Sequence, residues 1–263
     1  MGPASPQPTL HRLRQTLAAI DPSLKPGLIE PERSVALGLP ALDEPLRGGL
    51  ARDALHDIVP AGPFHLAAAS GFAMTVMARA AGEIRGEMLW ITTGLTLGEG
   101  GGPYGPGLDL FGIASARLLV LRVRRAVDAL WAMEEGLRCR ALASVIAELG
   151  DDRAADLTAT RRLMLAAREG GCPGLLLRQR VDSGPVAAVT RWRVAAAPSR
   201  PDRFGGLGRT AFDLVLCKNR RGPCGRWIVE WNHHERAFET AVSVGLAAAA
   251  FDRPDRAAAV AAG

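Results

Sequence analysis

The chain has 263 residues, 48% of them hydrophobic, which is enough to bury the core of one large globular domain. Its net charge of +5 comes almost entirely from arginine, because Lys25 and Lys218 are the only lysines among 32 basic residues. The arginines alternate with acidic residues along the chain, which is more typical of a solvated surface than of a continuous nucleic-acid-binding stripe.

The sequence shows no sign of a membrane span or a targeting segment. The longest apolar stretch, Ala61 to Gly82, is interrupted by His65 and Arg79 and falls short of the about 20 strongly apolar residues that cross a bilayer. No apolar segment follows the first basic residues, so a secretory signal is not predicted. We therefore expect a cytoplasmic protein that does not bind membranes. Its four cysteines are widely spaced, and we expect free thiols buried as small hydrophobes.

The first predicted element is a short amphipathic helix near the N-terminus. Leucines recur at helical spacing at Leu10, Leu13 and Leu17, with Thr9 as the N-cap and Pro22 at the end of the pattern. Proline-rich sequence follows. We predict a helical arm and linker over residues 1–34, and a core over residues 35–240.

Within that core, strand-like and helical runs alternate, which is typical of a parallel sheet covered by helices. The predicted strands are Leu55–Val59, Met88–Thr92, Arg117–Leu121, Leu142–Leu149 and Gly174–Leu177. The predicted helices are Leu66–Ala81, Ala126–Arg138 and Asp156–Glu169.

Three more strand-like runs follow, with short polar connections and no helical pattern between them. They predict an antiparallel extension of the sheet and are Thr190–Ala196, Phe212–Lys218 and Trp227–Trp231. The alanine-rich residues 241–263 show no periodicity, so we predict a flexible tail. Tryptophans within periodic segments are expected to pack in the core, and these are Trp131, Trp192, Trp227 and Trp231.

Several motifs resemble those of RecA-like proteins. Gly38-Leu39-Pro40-Ala41-Leu42-Asp43 and Gly48-Gly49-Leu50 resemble the segment that leads RecA-like proteins into their first core strand. Leu216-Cys217-Lys218-Asn219-Arg220-Arg221 is similar to the K-N-(K/R) hairpin near the end of the RecA core. The resemblance covers about residues 35 to 232. It implies an α/β, RecA-like core with a mainly parallel sheet flanked by helices and an antiparallel C-terminal extension.

An active RecA-like ATPase continues its first strand into G-x-x-x-x-G-K-[ST], which holds the phosphates. Aligning Ser70-Gly71 with the end of that loop puts Phe72 at the lysine position and Ala73 at the Ser/Thr position. No other alignment supplies the lysine, because the chain has lysine only at positions 25 and 218. We expect a degenerate nucleotide site, no cofactor, no metal and no ATPase activity.

Other positions matching functional residues of the RecA family are assigned weaker roles. Glu148 ends a strand where an ATPase carries a magnesium-coordinating carboxylate, but without the loop we expect it to face solvent. Gln179 matches a nucleotide-sensing glutamine and is expected to make a local hydrogen bond. The segments matching the DNA-gripping loops, Gly150–Ala155 and Val181–Pro185, are short, so DNA contact is expected to be indirect or weak.

The hairpin residues Lys218 and Arg220 match residues that, in RecA filaments, reach across the subunit interface to the neighbour's ATP. Together with Arg221 they are candidates for docking on an active RecA-like subunit. The leucines of the N-terminal arm are candidates too, since the RecA arm packs on a neighbouring subunit. The alternative for the hairpin is a basic turn whose charges face only water.

Three phrases are more specific: Ala129-Leu130-Trp131-Ala132-Met133-Glu134-Glu135, Asp156-Leu157-Thr158-Ala159-Thr160-Arg161-Arg162-Leu163 and Gly225-Arg226-Trp227. They resemble the ImuA family of bacterial mutagenesis proteins. The resemblance implies a non-catalytic accessory factor of damage-induced translesion DNA synthesis. Its implied partners are RecA, an ImuB-type Y-family-like protein and the alpha subunit of an error-prone DNA polymerase.

Two alternatives from other functional classes stay open. One is a nonstandard nucleotide-binding switch that uses the loop Gly98–Gly107 and Glu148. The other is a protein that binds single-stranded DNA directly. The acidic residues Asp128, Glu134 and Glu135 of the predicted helix Ala126–Arg138 are expected to form a solvated face.

Overall fold

The structure is a computed structural model that describes residues 34–83, 86–94, 96, 98, 101–180, 184–199, 201, 206 and 208–241. The predicted arm, with Leu10, Leu13 and Leu17, lies outside these residues, as does the tail from residue 242 onward.

The described fold is organised around a mixed sheet of nine strands. The strands are β3 (Leu55–Pro60), β4 (Glu87–Thr93), β5 (Leu118–Val123), β6 (Leu142–Leu149), β7 (Gly174–Arg178), β8 (Thr190–Ala196), β9 (Ala211–Asn219), β10 (Gly225–Asn232) and β11 (Ala237–Thr240). They run in the order β11-β10-β9-β8-β3-β7-β6-β4-β5, in which neighbours from β8 to β5 are parallel and those from β8 to β11 are antiparallel. A separate pair is formed by β1 (Ser34–Val35) and β2 (Leu50–Ala51).

Helices cover both faces of this sheet. The longest is α2 (Leu66–Glu83), which packs on one face, and α4 (Ala126–Arg138) and α5 (Leu157–Gly170) pack side by side on the other. Two short helices, α1 (Pro40–Asp43) and α3 (Gly105–Leu110), lie in connections. No helix in the described ranges is long and apolar enough to span a bilayer.

The α/β class and the strands and helices predicted between residues 55 and 231 are confirmed, with bounds that shift by at most two residues. One detail of the sheet is different. The strand β8 was expected within the antiparallel extension, but it pairs in parallel with β3 on one side and antiparallel with β9 on the other. The first antiparallel pair of the sheet is therefore β8–β9, one strand later than predicted, because β8 runs parallel to β3.

The glycine-rich segment before β3 has a structural role in this fold. The carboxylate of Asp43 accepts hydrogen bonds from the backbone N–H groups of Leu37 (2.7 Å) and Gly38 (3.0 Å). At Gly49, where φ is +124°, a Cβ would lie 2.2 Å from the carbonyl oxygen of Val35, so only glycine fits there. These contacts hold β1 against β2 and explain the spacing of the motif.

An aromatic cluster fills the core between α2 and the antiparallel strands. Phe72 lies 5.3 Å from Trp192 and 5.9 Å from Phe238, measured between ring centroids, and Trp231 packs on Phe238 at 5.2 Å. Such tilted and edge-to-face pairs add to the stabilisation from apolar burial. The expected core positions of Trp192 and Trp231 are confirmed, and Trp227 is partly buried against the same cluster.

Some burial predictions were wrong. Trp131 is 63% exposed, because it lies on the outer side of α4, away from the sheet. Three cysteines are exposed and only Cys172 is buried, although all four are free thiols as expected. Glu134 is buried between the two helices, where its carboxylate accepts hydrogen bonds from Arg138 (2.8 Å) and Arg162 (2.5 Å), so it is not part of a solvated face.

His56 is wholly buried in β3 and joins three strands. Its Nε2 lies 2.8 Å from the carbonyl oxygen of Ala51, which can only accept, so Nε2 carries the proton and Nδ1 accepts from the hydroxyl of Thr190 at 2.8 Å. Burial lowers the pKa of the imidazole to about 4. The fold therefore requires the neutral form of this side chain.

This requirement predicts a loss of stability in mild acid. Because the folded-state pKa of His56, about 4, lies below the ordinary value of 6.5, the unfolded chain is protonated first as the pH falls. The stabilisation is complete above pH 6.5 and is lost as the pH falls toward 4. The total loss from this group is about 3 kcal/mol.

Urea titrations between pH 6.5 and 4 should show the free energy of unfolding of the wild type falling as the pH falls. In His56→Gln the amide can still donate to the carbonyl oxygen of Ala51 but does not titrate, so this part of the pH dependence should be absent. An unchanged slope in the variant would contradict the assignment.

Candidate functional site

The connection from β3 to α2 occupies the place of a phosphate-binding loop. Only residues 61–65 lie between Pro60, which ends β3, and Leu66, which begins α2. The N–H of Ala61 still bonds to the carbonyl oxygen of Val194 (2.8 Å), and a single 3-10 turn from Pro63 to His65 completes the connection. The motif G-x-x-x-x-G-K-[ST] places its lysine at the start of the helix that follows the loop, but neither residues 61–65 nor α2 contains a lysine. The connection therefore lacks the side chain with which such a loop neutralises a phosphate.

The proposed alignment of the degenerate site was wrong by more than a helical turn. Ser70, Gly71, Phe72 and Ala73 all lie inside α2, and Phe72 and Ala73 are wholly buried. The Ser-Gly pair resembles a loop in sequence, but the helix already begins at Leu66. Phe72 is therefore an anchor of the aromatic core and does not stand where a lysine would contact phosphate.

Glu148 does not face solvent as expected. It is the second-last residue of β6, is 5% exposed, and its Oε2 accepts hydrogen bonds from Trp90 Nε1 (3.3 Å) and Thr92 Oγ1 (3.4 Å). Burial raises the pKa of its carboxyl group above the usual range, against the opposing effect of these donors and of Gln179. Glu148 is thus a buried acid in a polar cluster on the α2 side of the sheet.

Gln179 lies at the border of the same cluster. Its backbone N–H bonds to the carbonyl oxygen of Leu149 (3.2 Å), and its side-chain amide lies near the Glu148 carboxylate, where it opposes the rise in the pKa of that group. A Cβ on Gly150 would lie 3.1 Å from Gln179 Oε1 and 3.2 Å from Thr96 Oγ1. Glycine at position 150 therefore leaves the glutamine its space.

A buried ion-pair network, which the sequence did not reveal, lies on the other face of the sheet. The carboxylate of Asp57, wholly buried in β3, bonds to Arg178 Nε (2.8 Å) and to Arg191 Nε (2.5 Å). Arg178 is 1% exposed and also bonds to Asp152 (3.0 Å) and to the carbonyl oxygen of Ala155 (3.2 Å). The network therefore connects the central strand to the loop after β6.

The same network fastens the second short loop. Arg191 donates to the carbonyl oxygen of Gly184 (2.6 Å), Lys218 Nζ to that of Val186 (2.7 Å), and the N–H of Ala187 to Thr160 Oγ1 (3.0 Å). These described parts of the segments matching the DNA-gripping loops line a cleft of about 380 Å³ with Arg178 at its base. The described residues of both segments are thus held by bonds to the sheet, and Ala187, just beyond the second, by a bond to α5.

The basic hairpin between β9 and β10 is organised by Asn219. Its side-chain amide donates to the carbonyl oxygens of Pro45 (2.9 Å) and Pro223 (3.0 Å), and its Oδ1 accepts from the N–H of Arg221 (2.9 Å). Arg221 is 7% exposed and donates from Nη1 to the carbonyl oxygen of Gly49 (2.9 Å). Its candidate role in partner binding is therefore wrong, because the guanidinium fastens the hairpin to the segment before β3.

The two other basic residues of the hairpin differ in accessibility. Lys218 is partly buried by its bond to Val186, and burial lowers the pKa of its ammonium group. Arg220 is exposed. The strand register places Lys218 beside Arg191 and Asp57, whereas Pro60 is aligned with Val194. The hairpin therefore lies at the end of the sheet opposite the β3–α2 connection.

Comparisons with known proteins agree with this geometry. No protein-family profile matches the chain. Proteins named Protein ImuA from two strains of Caulobacter vibrioides are each 30% identical to it over 221 residues, which cover 79% of this chain and 87% of theirs. The chain belongs to the ImuA family.

The fold of this ImuA-family chain is also found in a solved recombinase. The crystal structure of the RadB recombinase matches it with a TM-score of 0.54 and 15% identity, over 79% of this chain and 100% of that one. At this level of identity the match shows the fold alone. It confirms the expected RecA-like core.

The buried acid of this ImuA-family chain predicts an unusual gain of stability. Because the pKa of Glu148 is raised on folding, the wild type loses stability as the pH rises through that pKa. Glu148→Gln removes the buried charge and keeps an oxygen that accepts from Trp90, so the variant should be more stable than the wild type in urea at alkaline pH, and the gain should shrink in acid. A variant that is less stable at alkaline pH would contradict this account.

The ion-pair network around Asp57 predicts a large loss of stability when that carboxylate is removed. Asp57→Ala leaves Arg178 buried without its central partner, so the free energy of unfolding should fall by about 3–5 kcal/mol in urea titrations. The matched control is Asp128→Ala, which breaks an exposed pair with Arg125 and should leave the midpoint almost unchanged. Equal effects of the two substitutions would show that Asp57 does not hold the network together.

Proposed function

We propose that this ImuA-family protein is a non-catalytic adaptor of damage-induced translesion DNA synthesis that docks on RecA through its basic hairpin. The observation that carries the proposal is an asymmetry between the two ends of the sheet. The end that binds phosphate in RecA-like ATPases has no lysine in the connection of residues 61–65 or in α2, while the opposite end keeps an ordered hairpin with Arg220 exposed. Family membership supports the mutagenesis role.

Two features of the hairpin support action on another molecule. The hairpin lies at the end of the sheet opposite the β3–α2 connection, so Arg220 cannot contact a phosphate bound at that connection of the same chain. Its backbone is held by Asn219, and Arg221 fixes it to the segment before β3, so the exposed guanidinium is presented on a rigid support. A preorganised side chain binds a partner with a smaller loss of conformational entropy.

The remaining partners follow from the family assignment and complete the proposal. An ImuB-type protein and the alpha subunit of an error-prone DNA polymerase would bind other surfaces, in the cytoplasm, with DNA contacted only weakly or through them. The short, fastened loops around Arg178 support the limited role of DNA. The arm over residues 1–34, with Leu10, Leu13 and Leu17, is proposed as a second contact with RecA.

The test is capture of RecA filaments assembled on single-stranded DNA with an ATP analogue. Arg220→Glu should reduce capture at least about tenfold, equivalent to about 1.4 kcal/mol, because it reverses the charge at the docking surface without removing a bond of the fold. Lys218→Ala should reduce it less, since that ammonium group is occupied by Val186.

The matched control is Arg161→Glu, which reverses another exposed arginine, on α5. Capture should be unaffected by this variant. Equal capture by Arg220→Glu and wild type, or no capture at all, would contradict docking through the hairpin. Saturable binding of ATP by the protein alone would favour the nucleotide-binding switch, and salt-dependent binding to single strands without RecA would favour direct DNA binding.

A further inference from the structure

Two cysteines lie at the base of the basic hairpin, one on each strand. The last aligned residues of β9 and β10 are Leu216 and Gly225, so Cys217 and Cys224 follow one step further along the same pair of strands. Directly opposed residues of an antiparallel pair have Cα atoms about 4.5–5.5 Å apart. A disulfide bridges Cα atoms that are about 4.4–6.8 Å apart. The strand register therefore brings the two cysteines within bridging distance.

Both cysteines belong to the same, exposed face of these strands. Leu216 is 1% exposed, and a Cβ on Gly225 would lie 2.5 Å from the ring of Trp227, so this aligned pair faces the core. Side chains alternate between the two faces along a strand, which places Cys217 and Cys224 on the other face. Both are exposed. A small thiol reagent can therefore reach either sulfur.

The thiol of Cys217 is held only loosely. The register of β9 against β8 passes from Leu216 directly to Lys218, so no residue of β8 is aligned with Cys217. Its Sγ lies 3.6 Å from the carbonyl oxygen of Val215, which is a weak contact because a thiol is a poor hydrogen-bond donor. The sulfur can turn toward β10 without breaking a strong bond.

The two other cysteines of the chain are arranged differently. Cys172 is buried, and burial raises the pKa of its thiol to about 12, so it contains little of the thiolate that reacts with disulfides. Cys139 is exposed and follows the end of α4, close enough to Cys172 to contribute to that rise in pKa. The pair Cys139 and Cys172 is thus an internal comparison in which only one thiol is accessible.

We propose that Cys217 and Cys224 form a thiol–disulfide site, at which glutathione disulfide or a similar small disulfide converts the two thiols into one intramolecular disulfide. One cysteine thiolate attacks a sulfur of the oxidant and expels the first small thiol, which leaves a mixed disulfide on the chain. The second cysteine thiolate attacks the cysteine sulfur of that mixed disulfide and expels the second small thiol. The two cysteine protons end on the two small thiols, so the pair loses two electrons and the oxidant gains them.

The disulfide would close a covalent ring around the hairpin of residues 218–223. In the reduced structure this hairpin is held by hydrogen bonds from Asn219 and Arg221. A covalent link across its base opposes local opening. Arg220 is exposed within the ring, and its charge attracts the carboxylates of glutathione disulfide. The site thus connects the oxidation state of small thiols to the rigidity of the hairpin, and its chemistry is independent of docking on RecA.

Tryptic digestion tests the pair directly, because Lys218, Arg220 and Arg221 lie between the two cysteines. The reduced full-length protein is equilibrated with glutathione disulfide, its remaining thiols are blocked with N-ethylmaleimide, and it is denatured and digested without reductant. The peptide that ends at Lys218 should stay linked to the peptide of residues 222–226. This species should exceed every other linked pair of cysteines by at least about tenfold, and reduction should separate its two peptides.

The matched control is Cys139→Ser, which removes another exposed cysteine and should leave the linkage unchanged. In Cys217→Ser, the remaining Cys224 should carry at most one glutathione as a mixed disulfide. Hydrogen exchange of the hairpin amides should slow on oxidation of the wild type and stay the same in Cys217→Ser. All reduced variants should keep the wild-type thermal transition, since the replaced side chains are exposed.

Three results would overturn the proposal. Glutathione attached separately to Cys217 and to Cys224, with no linked peptides at any ratio of oxidised to reduced glutathione, would show that the two sulfurs do not meet. Preferential linkage of Cys139 to Cys172 would place the reactive pair elsewhere. A disulfide-linked dimer formed through either hairpin cysteine would replace the intramolecular site with a contact between two chains.

Discussion

The pairing of Asp57 with two arginines is the interaction that joins β3, β7 and β8 to the loops beside them. A wholly buried carboxylate is stable only if it is paired, and Asp57 receives Arg178 from β7 and Arg191 from β8. Through Arg178 the same carboxylate positions Asp152 and the loop after β6, and through Arg191 it positions Gly184. Three strands and two loops are thus connected by one side chain of the central strand.

Buried contacts within the chain also define α2 and the polar cluster around Glu148. The β3–α2 connection is short, and α2 begins early enough to bury Phe72 in the aromatic core. The polar cluster around Glu148 keeps a carboxylate at the family's magnesium position, but the carboxylate is bonded to Trp90 and Thr92. The hairpin with Arg220 stays accessible at the opposite end of the sheet.

Much of this fold was predictable from the sequence because its strands and helices carry strong local patterns. β6 and α4, for example, have the predicted bounds, since a short apolar run predicts a buried strand and a helical spacing of apolar residues predicts a helix. The absence of a phosphate-binding lysine was also predictable, because it depends on composition and not on alignment. The start of α2 at Leu66 was predicted as well, but the alignment of Ser70-Gly71 with the end of a phosphate-binding loop was not compatible with it, because both residues lie inside that helix.

The interactions that define the site are tertiary, and no local pattern encodes them. Arg178 pairs with Asp57 across 121 positions of sequence, and Trp90 reaches Glu148 across 58. Arg221 was grouped with its neighbours as a surface charge, although its guanidinium is buried against the carbonyl oxygen of Gly49, 172 positions away. Charge at a turn therefore does not distinguish a structural arginine from a docking one such as Arg220.

The central claim is that this RecA-like core has no working nucleotide site of its own. Its most direct test is a calorimetric titration of the full-length protein with ATP and Mg²⁺, alongside Glu148→Gln. The account predicts no saturable heat for either protein. Saturable binding by the wild type that is weakened in Glu148→Gln would contradict it, because the buried carboxylate would then be a magnesium-linked part of a functioning site.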